Sequence, residues 1–209
     1  MTTKNKILDA AETLFADTGF NGTSLREITG TAGVNLAAVN YHFGSKKELI
    51  KAVMSRYMDE LSPKLESALS ALLKDESKPN LDEVFFTFIE PLLYLNEFRV
   101  NGTGKFLQLL GRGYTDSQGF LRWFLTTQYP NVFVFFTKAV QKAYPELTTE
   151  EMFWRLHFTM GTIVFTMSSS DALIDIARND FQNDLTIETL IHKVIPYVAA
   201  GVGAPIKVN

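Results

Sequence analysis

The 209 residues contain no cysteine, which excludes a disulfide framework and thiolate metal ligation and makes an intracellular, cytoplasmic chain the simplest expectation. Long apolar runs are missing as well. Arg155 and His157 interrupt the richest stretch, Met152 to Met167, well short of the ~20 apolar residues that a membrane span needs. The first ten residues carry Lys4, Lys6 and Asp9 and no apolar segment of the kind a secretory signal has. Histidine is scarce, limited to His42, His157 and His192, and no His, Asp or Glu spacing stands out as a metal site. Neither metal nor cofactor is expected. An overall excess of positive charge is also absent: 20 Lys and Arg face 23 Asp and Glu, a formal net charge of −3.

That balance conceals an uneven distribution. Up to Met58 the chain holds seven Lys and Arg against five Asp and Glu, so a mildly basic N-terminal unit precedes an acidic remainder. Phenylalanine runs the other way, with fourteen of the 17 lying beyond Met58. Apolar residues recur almost everywhere with helical spacing and nowhere convincingly with period two, so the fold is expected to be all-α. Ile7, Ala11, Leu14 and Phe15 line one face of a first helix that Gly19 ends. Ser24-Leu25-Arg26-Glu27 has the capping-box form and starts a second helix near Leu25, and Ser45-Lys46-Lys47-Glu48 is a second such box. Between them Gly33 forces a turn, Asn35 can cap a short helix from about Leu36 to Phe43, and Gly44 ends it. The helix that follows carries Leu49, Val53, Tyr57 and Leu61 on one face, and Pro63 should kink or restart it. Further helices are expected near 81–98, 103–112, 117–143, 149–168 and 186–199.

Two short helices joined through Gly33 and held by Leu25, Ile28, Ala32, Val34, Val39 and Phe43 satisfy what a helix-turn-helix requires. Ile28, Ala32-Gly33-Val34-Asn35, Asn40-Tyr41-His42-Phe43, Ser45-Lys46 and Leu49 occur in an order and spacing that resembles the TetR family of bacterial transcriptional repressors. The resemblance covers residues 4 to 58, about a quarter of the chain. Two departures stand out: Thr29 takes the place of a common alanine, and Gly30 lies inside the second helix at a cost of about 1 kcal/mol. The expected division is a DNA-binding domain over 1–50, with its helix-turn-helix at about 24–43 and a linking helix at 46–62, and a helical effector-binding and dimerisation domain over 51–209.

The chemistry expected of the head is phosphate docking plus base reading. Ser24 at a helix N-terminus places a hydroxyl and free amides where a phosphate can sit. Tyr41 and His42 can donate from the end of the recognition helix and Lys46 from the start of the next. The resemblance implies that these are backbone clamps, which fix register without reading sequence. Leu36, Ala37 and Ala38 suit thymine methyls and close approach, while Asn40 can donate to or accept from a base edge. Alternatives stand beside several of these roles: Tyr41 could pack on the body, Arg26 could be a solvated charge instead of a DNA contact, and His42 could cap its helix.

The body has no motif of comparable sharpness. Gly102-Thr103-Gly104-Lys105 fails as a phosphate loop because Phe106 follows the lysine and no strand precedes it. With three histidines and no cysteine, an enzyme is the weaker class. Apolar excess with sparse polar points is the main signal. Phe106, Leu109, Leu110, Trp123, Phe124, Phe133, Phe136, His157, Met160, Val164 and Phe165 could line a cavity, with Arg112, Arg99, Gln108, Arg122 or Arg155 at its polar end, though for any single phenylalanine a filled aromatic core is the better reading. Such a site suits a small apolar effector with an acidic or phosphorylated head. Phe106 to Arg112 resembles the fatty-acid or acyl-CoA-responsive branch of the family; a lipophilic drug is the rival effector, and a helical lipid carrier or enzyme the reading from another class. The stripes Ile187, Ile191, Val194, Val198 and Leu190, Ile195, Val202 exceed one packing contact, and the resemblance implies a homodimer through helices at about 149–168 and 186–199, presenting two recognition helices to double-stranded operator DNA. No membrane partner is expected.

Overall fold

The computed structural model describes residues 1–116 and 118–206, and the side chains of 118 and 168 are left aside. The described residues form helices without strands: α1 (Thr3–Gly22), α2 (Leu25–Ala32), α3 (Leu36–Phe43), α4 (Lys46–Lys74), α5 (Leu81–Phe86), α6 (Ile89–Phe98), α7 (Gly102–Asp116), α8 (Gln118–Gln128), α9 (Pro130–Ala143), α10 (Thr149–Ser168), α11 (Ser170–Phe181) and α12 (Ile187–Val202). None of them is long and apolar enough to cross a membrane. The position 117 where one expected helix begins, and the tail of the expected body at 207–209, lie outside the described residues.

Local chemistry accounts for most boundaries. Gly19 leaves helical geometry at φ 80°, as its place at the end of the apolar stripe implies. Thr2, Asn35, Asn80, Thr148 and Thr186 each accept a backbone N–H at the N-terminus of their helix. Three expectations need correction. Pro63 does not restart α4, which is one helix of 29 residues containing it. The expected helix at 81–98 is two, because Thr87 and Phe88 close α5 with a tight turn. The expected helix at 117–143 divides at Tyr129, which precedes Pro130 and is pushed out of helical geometry by it. The short helix α11 has no counterpart in the expected set.

Helix α7 is the axis of the assembly and packs on α1, α4, α6, α8 and α10. Helices α2 and α3 stand on α1, and α4 carries the chain from α3 into the body, where it meets α6, α7 and α9. Of the two apolar stripes of α12, Leu190, Ile191, Ile195, Val198 and Val202 are buried in the chain's own core, while Ile187 and Val194 are half-buried. Helix α10 behaves differently. It buries Arg155, Thr159 and Met167 but leaves Phe153, Trp154, Phe158 and Phe165 exposed, so only one of its sides is covered by this chain.

Candidate nucleic-acid interface and body groove

Helix α2 begins where Ser24 Oγ accepts the Glu27 N–H at 3.2 Å and Glu27 Oε2 accepts the Ser24 N–H at 2.6 Å, a complete capping box. These hydrogen bonds hold the Glu27 carboxyl below the usual carboxylate range, and the charge of Lys46 adds to the effect. Gly33 ends α2 in the left-handed region, φ 64°, which a side chain would strain. Asn35 Oδ1 accepts the Ala38 N–H at 2.9 Å and starts α3. At α4 the expected box is only half made: Ser45 Oγ accepts from Glu48, but the Glu48 carboxylate turns to Lys51 at 2.8 Å. Thr29, the first departure noted above, returns its hydroxyl to the Arg26 carbonyl at 3.0 Å, and Gly30 is exposed.

Burial of Val39 and Phe43 sets the rotation of α3. Leu36, Ala37, Asn40 and Tyr41 then face outward, while Ala38 and His42 are half-buried. Ser24 and Arg26 are exposed, and Lys46 is half-buried. None of the nine residues expected to face DNA is buried. Tyr41 is 86% exposed, with its ring edge-on to His42 at 5.0 Å, so it does not pack on the body.

Charged groups join the head to the body. Glu12 on α1 is buried and meets Arg56 of α4 at 3.2 Å, Arg99 after α6 at 3.2 Å and Lys105 of α7 at 3.8 Å; Asp9 meets Arg56 at 2.8 Å and Arg99 at 2.7 Å. Burial, and then the charge of Glu12, push the neighbouring Tyr57 hydroxyl well above its ordinary ionisation range. Arg112 donates to the carbonyls of Ala16 at 3.3 Å and Asp17 at 2.9 Å, and Asp116 accepts the Asn21 N–H at 3.2 Å. A cavity of about 240 Å³ between Ala16, Asp17, Gln108 and Arg112 marks this joint.

A second and larger opening, about 430 Å³, lies between α7, α8 and α10 and is lined by Tyr114, Thr115, Gly119, Arg122, His157, Met160, Gly161 and Val164. His157 Nδ1 sits 2.6 Å from the Phe153 carbonyl; with the proton on Nδ1 donated there, Nε2 is left as an acceptor. Burial raises the Tyr114 hydroxyl, and the charge of Arg122 acts against that shift. Arg122 also stands 6.0 Å from the Phe153 ring centre. Among the described residues no cluster of His, Asp and Glu could hold a metal ion.

This groove gathers only part of the expected effector set. His157, Met160, Val164 and Arg122 line it. Phe106 is buried against Tyr57, Phe136 packs on Phe85 and Phe88, and Phe124 packs on Tyr129. Leu110 and Phe133 are half-buried against the core, and Leu109 lies within it. Trp123 and Phe165 are exposed outside the groove. Arg112 belongs to the head–body joint, Arg99 to the carboxylate network, and Arg155 to the carbonyls of Val202 and Ala204. Sequence reasoning missed Tyr114, Thr115, Gly119 and Gly161. The helical spacing of 157, 160, 161 and 164 was the available signal for Gly161.

The family model described as bacterial regulatory proteins, tetR family, matches residues 7–53, and the one described as tetracyclin repressor-like, C-terminal domain, matches residues 87–201. The second spans more than half of the chain. The chain is 35% identical over 89 residues to the "Probable HTH-type transcriptional regulator YttP" of Bacillus subtilis, covering 43% of each chain. It is 34% identical over 88 residues to the HTH-type transcriptional activator FasR of Mycolicibacterium smegmatis, covering 42% of this chain and 40% of that one. The matches thus span about two fifths of the length of these relatives. A TetR-like transcriptional regulator from Rhodococcus sp. RHA1 has the same fold, with a TM-score of 0.57, 17% identity and 97% of each chain covered.

Proposed function

The chain belongs to the TetR family of bacterial regulatory proteins, and from that premise we propose that it is a transcriptional repressor, seated on a palindromic operator as a homodimer and released by a small apolar effector bound in the body. The outward face of α3 carries this reading. Val39 and Phe43 are fixed in the core, so Leu36, Ala37 and Asn40 can meet base edges while Ser24, Tyr41, His42 and Lys46 flank them for phosphates. Arg26 adds an exposed cation at the same turn. Selection of duplexes from a random pool by the native chain should recover a two-fold symmetric sequence whose half-sites are centred about 34–36 Å apart, one turn of DNA. Recovery of unrelated sequences bound without salt dependence would instead favour the helical lipid carrier or enzyme.

The groove supports the ligand-responsive part. One arginine and one histidine stand among Tyr114, Met160 and Val164, a lining that suits an acyl chain with an acidic head, a fatty acid or acyl-CoA. A ligand lowers operator affinity only by the ratio of its affinities for the free and DNA-bound forms. Palmitate and palmitoyl-CoA titrated against the protein–DNA complex should therefore shift the DNA midpoint. If neither does and a lipophilic aromatic drug does, the efflux-type reading replaces the acyl one. FasR is an activator by name, so the direction of regulation is tested separately, by transcription from a template carrying the selected site: repression is expected.

A further inference from the structure

Helix α8 has three faces, and two of them point at sites that matter. Leu121, Phe124 and Leu125 are buried and seat it. Gly119 and Arg122, one turn apart, form a wall of the groove. Phe120 and Trp123, again one turn apart, meet the first turns of α4: Lys47 Nζ stands 5.8 Å from the Phe120 ring centre, Lys51 Nζ 5.9 Å from the same ring and 5.5 Å from Trp123. The backbone of α8 packs mainly on α7 and α9, so these long side chains are its reach to α4. Trp123 is 56% exposed, and the contact that holds its indole towards α4 is the Lys51 ammonium over its ring, the same ammonium that stands over Phe120.

We propose that Phe120 and Trp123 are positioning residues for the DNA-facing end of α4, tying Lys47 and Lys51 to α8 so that whatever fills the groove resets where Lys46 and Lys47 stand. The proposal rests on the reading of the groove as the effector site and names its route to the head. An occupant between α8 and α10 pushes on Gly119 and Arg122. The rings one residue further along the same short helix move with them, and the lysines follow the rings. Three exposed cation–ring contacts together can transmit about a tenfold change in DNA affinity, equivalent to about 1.4 kcal/mol.

A filled groove can be built without knowing the ligand. Val164→Trp adds an indole from α10, and Met160→Trp does so from a neighbouring turn should the first variant unfold; sedimentation and thermal unfolding verify that each remains assembled and folded. Measured on the duplex that the native chain selects, the filled variant should bind about tenfold more weakly than the native chain. In a Phe120→Leu, Trp123→Leu background the same filling should weaken binding less than threefold, and Phe120→Tyr with Trp123→Phe, which keeps both ring faces, should restore the full effect. Equal weakening in the leucine and native backgrounds overturns the positioning role and leaves the groove reading standing. Weakening that does not return with the tyrosine and phenylalanine pair overturns it too, because the rings then act by bulk alone. No weakening by either filled variant in the native background overturns the groove reading itself.

Discussion

An ionised carboxylate taken out of water costs several kcal/mol unless charges of the other sign come with it, and the Glu12 side chain, 1% exposed, is met by Arg56, Arg99 and Lys105. Removing Glu12 leaves Arg56 and Arg99 to share Asp9 and takes away the carboxylate that Lys105 faces, so Glu12→Ala should lower unfolding stability by about 3 kcal/mol in urea titration; a loss below about 0.5 kcal/mol, as at an ordinary surface site, would show that solvent already screens the group. Asp9 responds to acid. Burial raises its pKa, but hydrogen bonds and charge from Arg56 and Arg99 outweigh that and hold it below the usual range. A carboxyl depressed in the folded chain contributes stability above its unfolded value, about 3.9, and loses it as pH falls through the folded value. Asp9→Asn should therefore flatten the decline of stability below about pH 4, measured by denaturant midpoints from pH 7 to 3, and an unchanged acid slope would refute the pairing. Ser24 and Asn35 were legible as caps because their partners lie three residues away. The roles of Arg112 and Arg155 were not, because the carbonyls they reach are 95 and 47 residues distant in the chain.

Among the elements, the breaks marked by glycine read correctly, and those marked by proline did not. Gly19, Gly33 and Gly44 all take positive φ where the sequence pattern required a break. Thr87 and Phe88 break a helix just ahead of Pro91, which lies in the first turn of α6 and has no amide to bond the Thr87 carbonyl, so the signal for this break was in the sequence three residues on. The excess apolarity of α12 pointed to a partner, but packing on α10 and α5 takes up most of it and leaves Ile187 and Val194 half-buried. Ile191 is 3% exposed, whereas Phe158 on α10 is 66% exposed. Ile191→Glu should accordingly unfold the chain. Phe158→Glu should leave monomer stability within about 0.5 kcal/mol while shifting sedimentation from dimer to monomer at micromolar concentration. Dimers persisting in Phe158→Glu would move the two-fold interface off the exposed face of α10.

At the scale of the whole molecule the net charge of −3 works against binding a polyanion, since the acidic body repels phosphates that the basic head attracts. Attraction must then be short-range and carried by a few cations at the head's surface, Lys46 and Arg26 foremost. Phosphate contacts position the protein without reading sequence, whereas a base contact discriminates by about 1–3 kcal/mol. Lys46→Ala should weaken binding to every duplex by a similar factor and lower the slope of log affinity against log salt by about 1. Tyr41→Phe should weaken all duplexes equally with the slope unchanged, because it removes a neutral donor. Asn40→Ala should do the opposite, leaving the slope alone and relaxing preference at one base pair of each half-site. The three slopes and the three base preferences, measured on the selected duplex and its single-base variants, form one internal comparison. A change of preferred base in Lys46→Ala or Tyr41→Phe, or a uniform loss in Asn40→Ala, would mean that α3 lies in the groove at a different rotation from the one Val39 and Phe43 impose.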